Sequence, residues 1–216
     1  MLRADLHIHT AYSMDSATTL EQVVDRCLKV GINCVAVADH GTVAGAIELR
    51  KIAPFKVVVA EEVLTDQGEV IGLFLERDVP SGVPAADAIA MIREQGGLVC
   101  LPHPCDRLRS SMLRDGRGIL NLLPSVDIIE VFNSRTLVPD ANARAHKLAK
   151  QHHLLCSAGS DAHTAAEIGN AWVEMPEFEN QQGFLRALAQ GRIYGRRSNP
   201  VHRFASVWAR LTSLFS

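Results

Sequence analysis

Ala4-Asp5-Leu6-His7-Ile8-His9-Thr10 is a short apolar run that breaks into polar residues at its end, and residues 4–8 read as a β-strand. With a side-chain period of two, Asp5, His7 and His9 fall on one face, and both imidazoles leave the strand's C-terminal end in the same direction. A helix follows. Thr18-Thr19-Leu20-Glu21 has capping-box spacing, with Glu21 placed to reach back to the Thr18 amide. Leu20, Val23, Val24, Cys27 and Leu28 then form one apolar stripe, which Gly31 ends.

The strand-then-helix unit recurs. Residues 34–38, 57–60, 69–75, 98–101, 127–131 and 154–157 are further strand candidates, mostly continuous apolar runs of the kind buried on both faces of a parallel sheet. Helices are expected over about 85–95, 140–152 and 181–190. About seven such units in 216 residues imply one α/β domain whose parallel sheet closes, or nearly closes, into a barrel. Polar residues gather after the strand ends, where such folds build their active sites. Residues 1–199 are assigned to this domain. From Arg192 the chain turns basic, and after Pro200 the residues Val201, Phe204, Ala205, Val207, Trp208, Leu211, Leu214 and Phe215 give 200–216 the pattern of an amphipathic helix. That helix is expected to dock on the domain, with a homo-oligomer contact or a membrane surface as alternatives.

Composition excludes several classes. Hydrophobic residues make up 47% and charged residues 21%, an ordinary globular balance. A net charge of −2 and only 5% aromatic residues give no basic, aromatic-lined groove, so no stable nucleic-acid complex is expected. No apolar run reaches the ~18 residues of a membrane span. Charged residues begin at Arg3, unlike a secretory signal, and the five cysteines (Cys27, Cys34, Cys100, Cys105, Cys156) include no C-x-x-C pair. Free thiols in a reducing cytoplasm are the expectation. Cys105 alone lies near a candidate ligand, His103.

Histidine placement carries the chemistry. Besides His7 and His9, Ala38-Asp39-His40-Gly41, Leu101-Pro102-His103-Pro104 and Gly159-Ser160-Asp161-Ala162-His163 each put histidine where a strand ends. Asp161 and His163 share a face if the chain stays extended. His146, His152, His153 and His202 show no such placement and read as surface residues. Glu61-Glu62 closes the strand at 57–60, with Glu62 inward and Glu61 solvated. Asp15 lies six residues beyond His9, close enough to return to the same place. Glu69 and Glu130 read either as ligands or as ordinary hydrogen-bonding residues. Imidazoles and carboxylates gathered at one sheet edge suit divalent transition cations.

These motifs, in order, resemble those of the PHP (polymerase and histidinol phosphatase) superfamily over about residues 1–175. The resemblance implies a distorted seven-stranded (β/α) barrel with two or three divalent cations (Mn, Zn or Fe) in its C-terminal mouth. It implies His7, His9, Glu62 and Asp161 for one cation, Asp15, His40 and His163 for another, and Glu62 with His103 for the third. Glu69 stands where many members carry a further histidine. The implied activity is hydrolysis of a phosphoester of a small molecule by a hydroxide bridging the cations, as in small stand-alone bacterial phosphoesterases. Asp39, His40 and Asp161 are the candidate catalytic groups, with Arg107 and Arg135 to clamp phosphate and Arg109 as a further candidate. The alternatives are a 3′-5′ exonuclease of the proofreading kind and a non-catalytic metal-binding scaffold.

Overall fold

The β-branched runs pair into one sheet, but not into an all-parallel one. The computed structural model describes residues 1–106 and 121–199; Arg107, Arg109 and the expected helix at 200–216 lie outside the described residues. Among the described residues nine strands form: β1 (Leu2–Ile8), β2 (Cys34–Val37), β3 (Lys56–Thr65), β4 (Gly68–Leu73), β5 (Leu98–Leu101), β6 (Ile128–Asn133), β7 (Leu155–Gly159), β8 (Ala171–Met175) and β9 (Arg192–Gly195). Their order is β7-β6-β5-β4-β3-β2-β1-β8-β9. The seven expected strands are present, and the expectation of seven is corrected by β8 and β9. Both sit beyond β1; β8 alternates buried with half-buried residues and β9 is mostly exposed, so neither displays a long apolar run.

β1 with β2, β2 with β3, β5 with β6 and β6 with β7 pair in parallel. β4 runs the other way, joined to β3 by a hairpin that pairs Thr65 with Gly68 and Leu64 with Glu69. Glu62 lies opposite Ile71, so the start of β4, not its end, lies beyond Glu62 on the mouth side, with Glu69 opposite Leu64.

The sheet curls until the exit of β7 reaches β1. The Asp161 amide donates to the His7 carbonyl at 2.7 Å, and the His9 amide to the Ala162 carbonyl at 2.9 Å. A Cβ on Gly159 would lie 2.2 Å from His7 Cβ, so the approach requires glycine there. Only the C-terminal end of β1 is closed in this way. Its N-terminal half pairs antiparallel with β8 (Leu2 with Met175, Ala4 with Val173), which wedges the barrel open on that side.

Among the described residues, α-helices α1 (Leu20–Val30), α2 (Ala44–Ile52), α3 (Ala85–Glu94), α4 (Ala141–Gln151) and α5 (Gln181–Leu188) cover the sheet. The capping box of α1 is one residue later than expected, formed by Thr19 and Gln22. Thr18 is buried instead and donates its hydroxyl to the His163 carbonyl at 3.2 Å. α2 has no side-chain cap and carries Gly45 in its first turn, which hid it from the sequence pattern. That glycine is needed, because a Cβ would stand 2.2 Å from Asp39 Oδ2.

Two apolar layers result. The outer one lies between sheet and helices and includes Ile8, Val35, Val37, Val59 and Ile129. The inner one holds Leu2, Ala4, Leu6, Ala36, Ala60, Ile71, Ile128 and Ala158, and ends in packed Phe74, Phe178 and Phe184 rings, with Phe178 and Phe184 centroids 5.0 Å apart. Among the described residues, no helix is long and apolar enough to cross a membrane.

Candidate metal centre

A bulge sets the geometry at the end of β1. The β1–β2 register passes from Asp5 opposite Val35 to Ile8 opposite Val37, three steps against two. Leu6 thus packs in the inner layer and Ile8 in the outer one, and His7 and His9 both turn inward. Bulges next to active sites commonly re-aim side chains in this way. Asp5 does not share their face, which corrects the strict alternation read from the sequence. Its carboxylate instead accepts from the amides of Ser160 (2.8 Å) and Gly169 (2.9 Å), pinning the turn after β7.

Glu62 is the hub. Its Oε2 lies 3.3 Å from Nε2 of both His7 and His9 and 3.7 Å from His40 Nε2, while its Oε1 lies 3.0 Å from His103 Nε2. His7 and His9 present their Nε2 atoms to each other at 3.1 Å. Asp161 Oδ1 stands 3.6 Å from His9 Nε2 and 3.9 Å from His7 Nε2. Asp15 Oδ2 joins His163 Nε2 (3.1 Å) to His40 Nε2 (3.5 Å), and Glu69 Oε2 reaches His103 Nε2 at 3.6 Å. Every residue expected as a ligand is thereby brought into one cluster. Its ligating atoms form four overlapping groups, each within 4.8 Å: His9-Asp15-His40-His163, His7-Glu62-His103, His7-His9-Asp161 and His40-Glu62-Glu69. Imidazole nitrogens converging with carboxylate oxygens at these separations fit divalent cations.

His103 (φ 29°) and Asp161 (φ 54°) adopt left-handed backbone conformations. The chain from Asp161 to His163 is therefore not extended, contrary to expectation. Such positions cost on the order of 1–3 kcal/mol each and collect at functional sites.

Supporting residues were less legible. Glu130 is buried and faces the cluster. Its Oε1 lies 3.0 Å from His7 Nδ1, and its Oε2 accepts from the His103 amide and from Asn133 Nδ2, both at 2.9 Å. Asn133 also donates to Asp161 Oδ2 at 3.1 Å. With Nδ1 held by a carboxylate, His7 keeps Nε2 toward the cluster. A second bulge, between Glu130 and Phe132, aims this pair. The I-E-V-F-N run holds both residues, but no spacing in it shows where they point.

Among the described residues, Asp39 touches no imidazole within hydrogen-bonding distance. Both its oxygens accept from Thr10, from the amide and the hydroxyl, each at 2.6 Å. It fixes the end of β1 rather than a ligand ring. Arg135 is buried, not solvated; its Nε lies 3.4 Å from Glu167 Oε1, and its Nη1 donates to the Asp161 carbonyl at 3.4 Å. Glu167 in turn accepts from the amides of His163 and Thr164. Glu61, expected in solvent, is fully buried in the outer layer, where Oε2 accepts from the Val79 amide at 2.8 Å. His146, His152 and His153 are exposed as expected. None of the five cysteines is joined in a disulfide, and Cys105 is not among the grouped ligand atoms.

The electrostatics follow from crowding charge in a dry place. Burial lowers the proton affinity of His7, yet the carboxylates of Glu62, Glu130 and Asp161 reverse this and hold its pKa well above the usual value. Burial is likewise outweighed at His40, raised to about 10 by Asp15 and Glu62. Glu62 and Asp15, despite burial, are held far below the carboxylate range by the surrounding imidazoles. His163 goes the other way, to about 4, through burial and the neighbouring His9. The cluster is an anionic pocket that attracts positive charge.

The PHP-domain family model matches residues 5–73 and the PHP-associated model matches residues 139–193. Two uncharacterised proteins of Methanocaldococcus jannaschii are similar in sequence. MJ1587 is 37% identical over 146 residues, covering 62% of this chain and 82% of the relative; MJ0417 is 33% identical over 178 residues, covering 82% and 71%. The chain belongs to the PHP family. Solved structures share the PHP fold at low identity. A two-domain protein of Bacteroides vulgatus containing a predicted PHP-like metal-dependent phosphoesterase superposes with a TM-score of 0.70 at 18% identity, over 90% of this chain and 65% of that one. PsfC of Pseudomonas syringae gives 0.67 at 16% identity, over 100% and 99%. The lesion-specific endonuclease EndoQ of Pyrococcus furiosus gives 0.57 at 17%, over 89% and 57%.

Proposed function

We propose that this PHP chain is a metal-dependent phosphoesterase that hydrolyses a phosphoester of a small molecule. The observation that carries the reading is Glu62: one buried carboxylate shared by the imidazoles of His7, His9, His40 and His103, where cations placed on either side would have it in common. Two or three divalent cations (Mn, Zn or Fe) would be held by His7, His9, Asp15, His40, Glu62, Glu69, His103, Asp161 and His163. When bound they supply Lewis acidity toward phosphoryl oxygens and lower the pKa of water.

The chain's own residues do the rest. Glu130 and Asn133 hold His7 and Asp161 in orientation, and Asp39 holds the Thr10 turn. His40, whose side chain is 24% exposed, is the imidazole of the cluster that reaches solvent, and would hold its cation on the side of the mouth open to substrate. Arg135, charge-balanced by Glu167, adds positive potential beside Asp161, and with Arg107 is our candidate for phosphate binding. EndoQ's kinship of fold gives weight to a second reading, cleavage of nucleic-acid phosphodiesters.

The test is metal analysis of the purified protein, paired with a screen of phosphomonoesters, small diesters and oligonucleotides under separate Mn, Zn, Fe and Co supply. Turnover of small esters that chelation abolishes and a cation restores is expected. Turnover confined to oligonucleotides would favour the second reading. Bound metal without turnover of any ester would leave a scaffold and overturn both.

A further inference from the structure

Away from the mouth, an apolar cleft of about 640 Å³ opens between the two ends of the sheet order. Phe132, Leu154, Cys156, Leu188 and Ile193 line it, and His146 of α4 stands at its side. It exists because β8 and not β7 takes the N-terminal half of β1's outer edge, so β7 and β9 face each other without a shared ladder among the described residues. β9 is mostly exposed. An apolar cleft beside two open strand edges is an aggregation hazard that folded proteins cover.

The path of the chain indicates what covers it. After β9 the Arg196 amide donates to the Asn170 carbonyl (2.7 Å) and the Ser198 amide to the Ser134 carbonyl (2.8 Å), while Arg197 Nη2 donates to the Pro139 carbonyl (2.6 Å). The described chain thus crosses from β8 to the exit of β6 and ends beside the start of α4, whose Asn142, Ala143 and His146 form one wall of the cleft. Seventeen residues remain, 200–216. Val201, Phe204, Ala205, Trp208 and Leu211 recur at helical spacing, and as a helix the segment would span roughly 25 Å, longer than the roughly 16 Å of α4 beside the cleft.

We propose that residues 200–216 of this same chain lie along the cleft between β7 and β9 and cover Cys156, with Phe204, Trp208 and Leu211 as the buried contacts. The segment then serves as the missing wall on the open side of the barrel, remote from the metal cluster. The occupant is this chain's own C-terminus, because the chain delivers it to the upper end of the cleft with the apolar stripe such a cleft requires.

Cys156, half-buried and free in the cleft wall, is a native reporter. The full-length protein and a full-length Trp208→Ser/Leu211→Ser variant are alkylated with iodoacetamide, and the rate at each cysteine is read by mass spectrometry. Cys156 should react roughly tenfold or more faster in the variant, with Cys105 unchanged as control. Equal Cys156 rates would overturn the proposal. So would protection that disappears on dilution together with a dimer, which would assign the cleft to a second copy. Binding of the segment to anionic vesicles with Cys156 reactive throughout would also overturn it. A benzophenone photoprobe replacing Trp208 gives a measurement in otherwise unaltered protein. Intramolecular crosslinks to Asn142–His146 or Leu188–Gly191 are expected, and crosslinks only elsewhere count against the proposal.

Discussion

The inner face of the barrel has two levels that share the same strands. Below, Ala4, Leu6, Ala36, Val58, Ala60, Ile128 and Ala158 fill a narrow floor above the phenylalanine plug. Above, His7, Glu62, His103, Glu130 and Asp161 occupy the continuations of those strands and are almost as completely buried. The floor is held by apolar burial and close packing. The mouth instead holds buried charges, costly unless paired with one another or with cations. A dry floor beneath the mouth also keeps water from screening those charges, which is why imidazoles and carboxylates there depart so far from their ordinary pKa values. The lower level makes the fold, and the upper level exploits it.

The sharpest break of this contrast is Glu62→Ala. Activity should fall by more than about 100-fold, beyond the range for a supporting residue, with bound metal reduced and thermal stability little changed. Retained metal and activity would show that Glu62 is not shared between cations. In the floor the pattern should invert. Ile128→Ala should cost about 2–5 kcal/mol in urea unfolding, while the folded fraction keeps its metal content. Glu130→Gln tests the link between levels: metal affinity by calorimetry should drop by roughly 10–100-fold, because an amide no longer fixes the His7 ring as a carboxylate does.

Glu61 sharpens the comparison from the outer face. Burial pushes its pKa up from 4.5 to about 7 against the Val79 hydrogen bond, with Asp78 adding to the rise. Between these values the folded state keeps a proton that the unfolded state has lost, so this group makes stability fall as pH rises. Glu61→Gln should flatten that fall, matching wild type near pH 4 and melting on the order of 2–4 °C higher at pH 8. Parallel melting curves across the pH range would refute the assignment. The smallest effect is expected at Glu69, on the rim. Glu69→Ala should lower Mn stoichiometry at the third site but reduce turnover less than Glu62→Ala. Unchanged Mn binding and rate would make it a bystander.

Seven strands were legible because buried strands are apolar runs, and the ligands were legible because histidines and acids punctuate the ends of those runs. β8 and β9 were not, since Glu174 interrupts the apolar residues of β8 and β9 is mostly exposed, so neither displays a continuous run. α2 was hidden by Gly45, which records a close approach to Asp39 visible only in three dimensions. Glu130 and Asn133 had no signal of their own, because a residue that orients another is identified by what it touches.

Taken by itself, the sequence determined which residue types stand at the ends of which strands, and hence the chemistry on offer. Local composition suffices for that, through alternation, turn residues and the company each histidine keeps. Tertiary structure alone decided which way those residues point. The extra residue in β1 turned His7 and His9 inward and left Asp5 to pin Ser160 and Gly169. The antiparallel β4 brought Glu69 to the mouth, and the split edge of β1 closed the barrel on one side only. Each is a matter of register between distant segments, and a shift of one residue in a strand exchanges inside for outside.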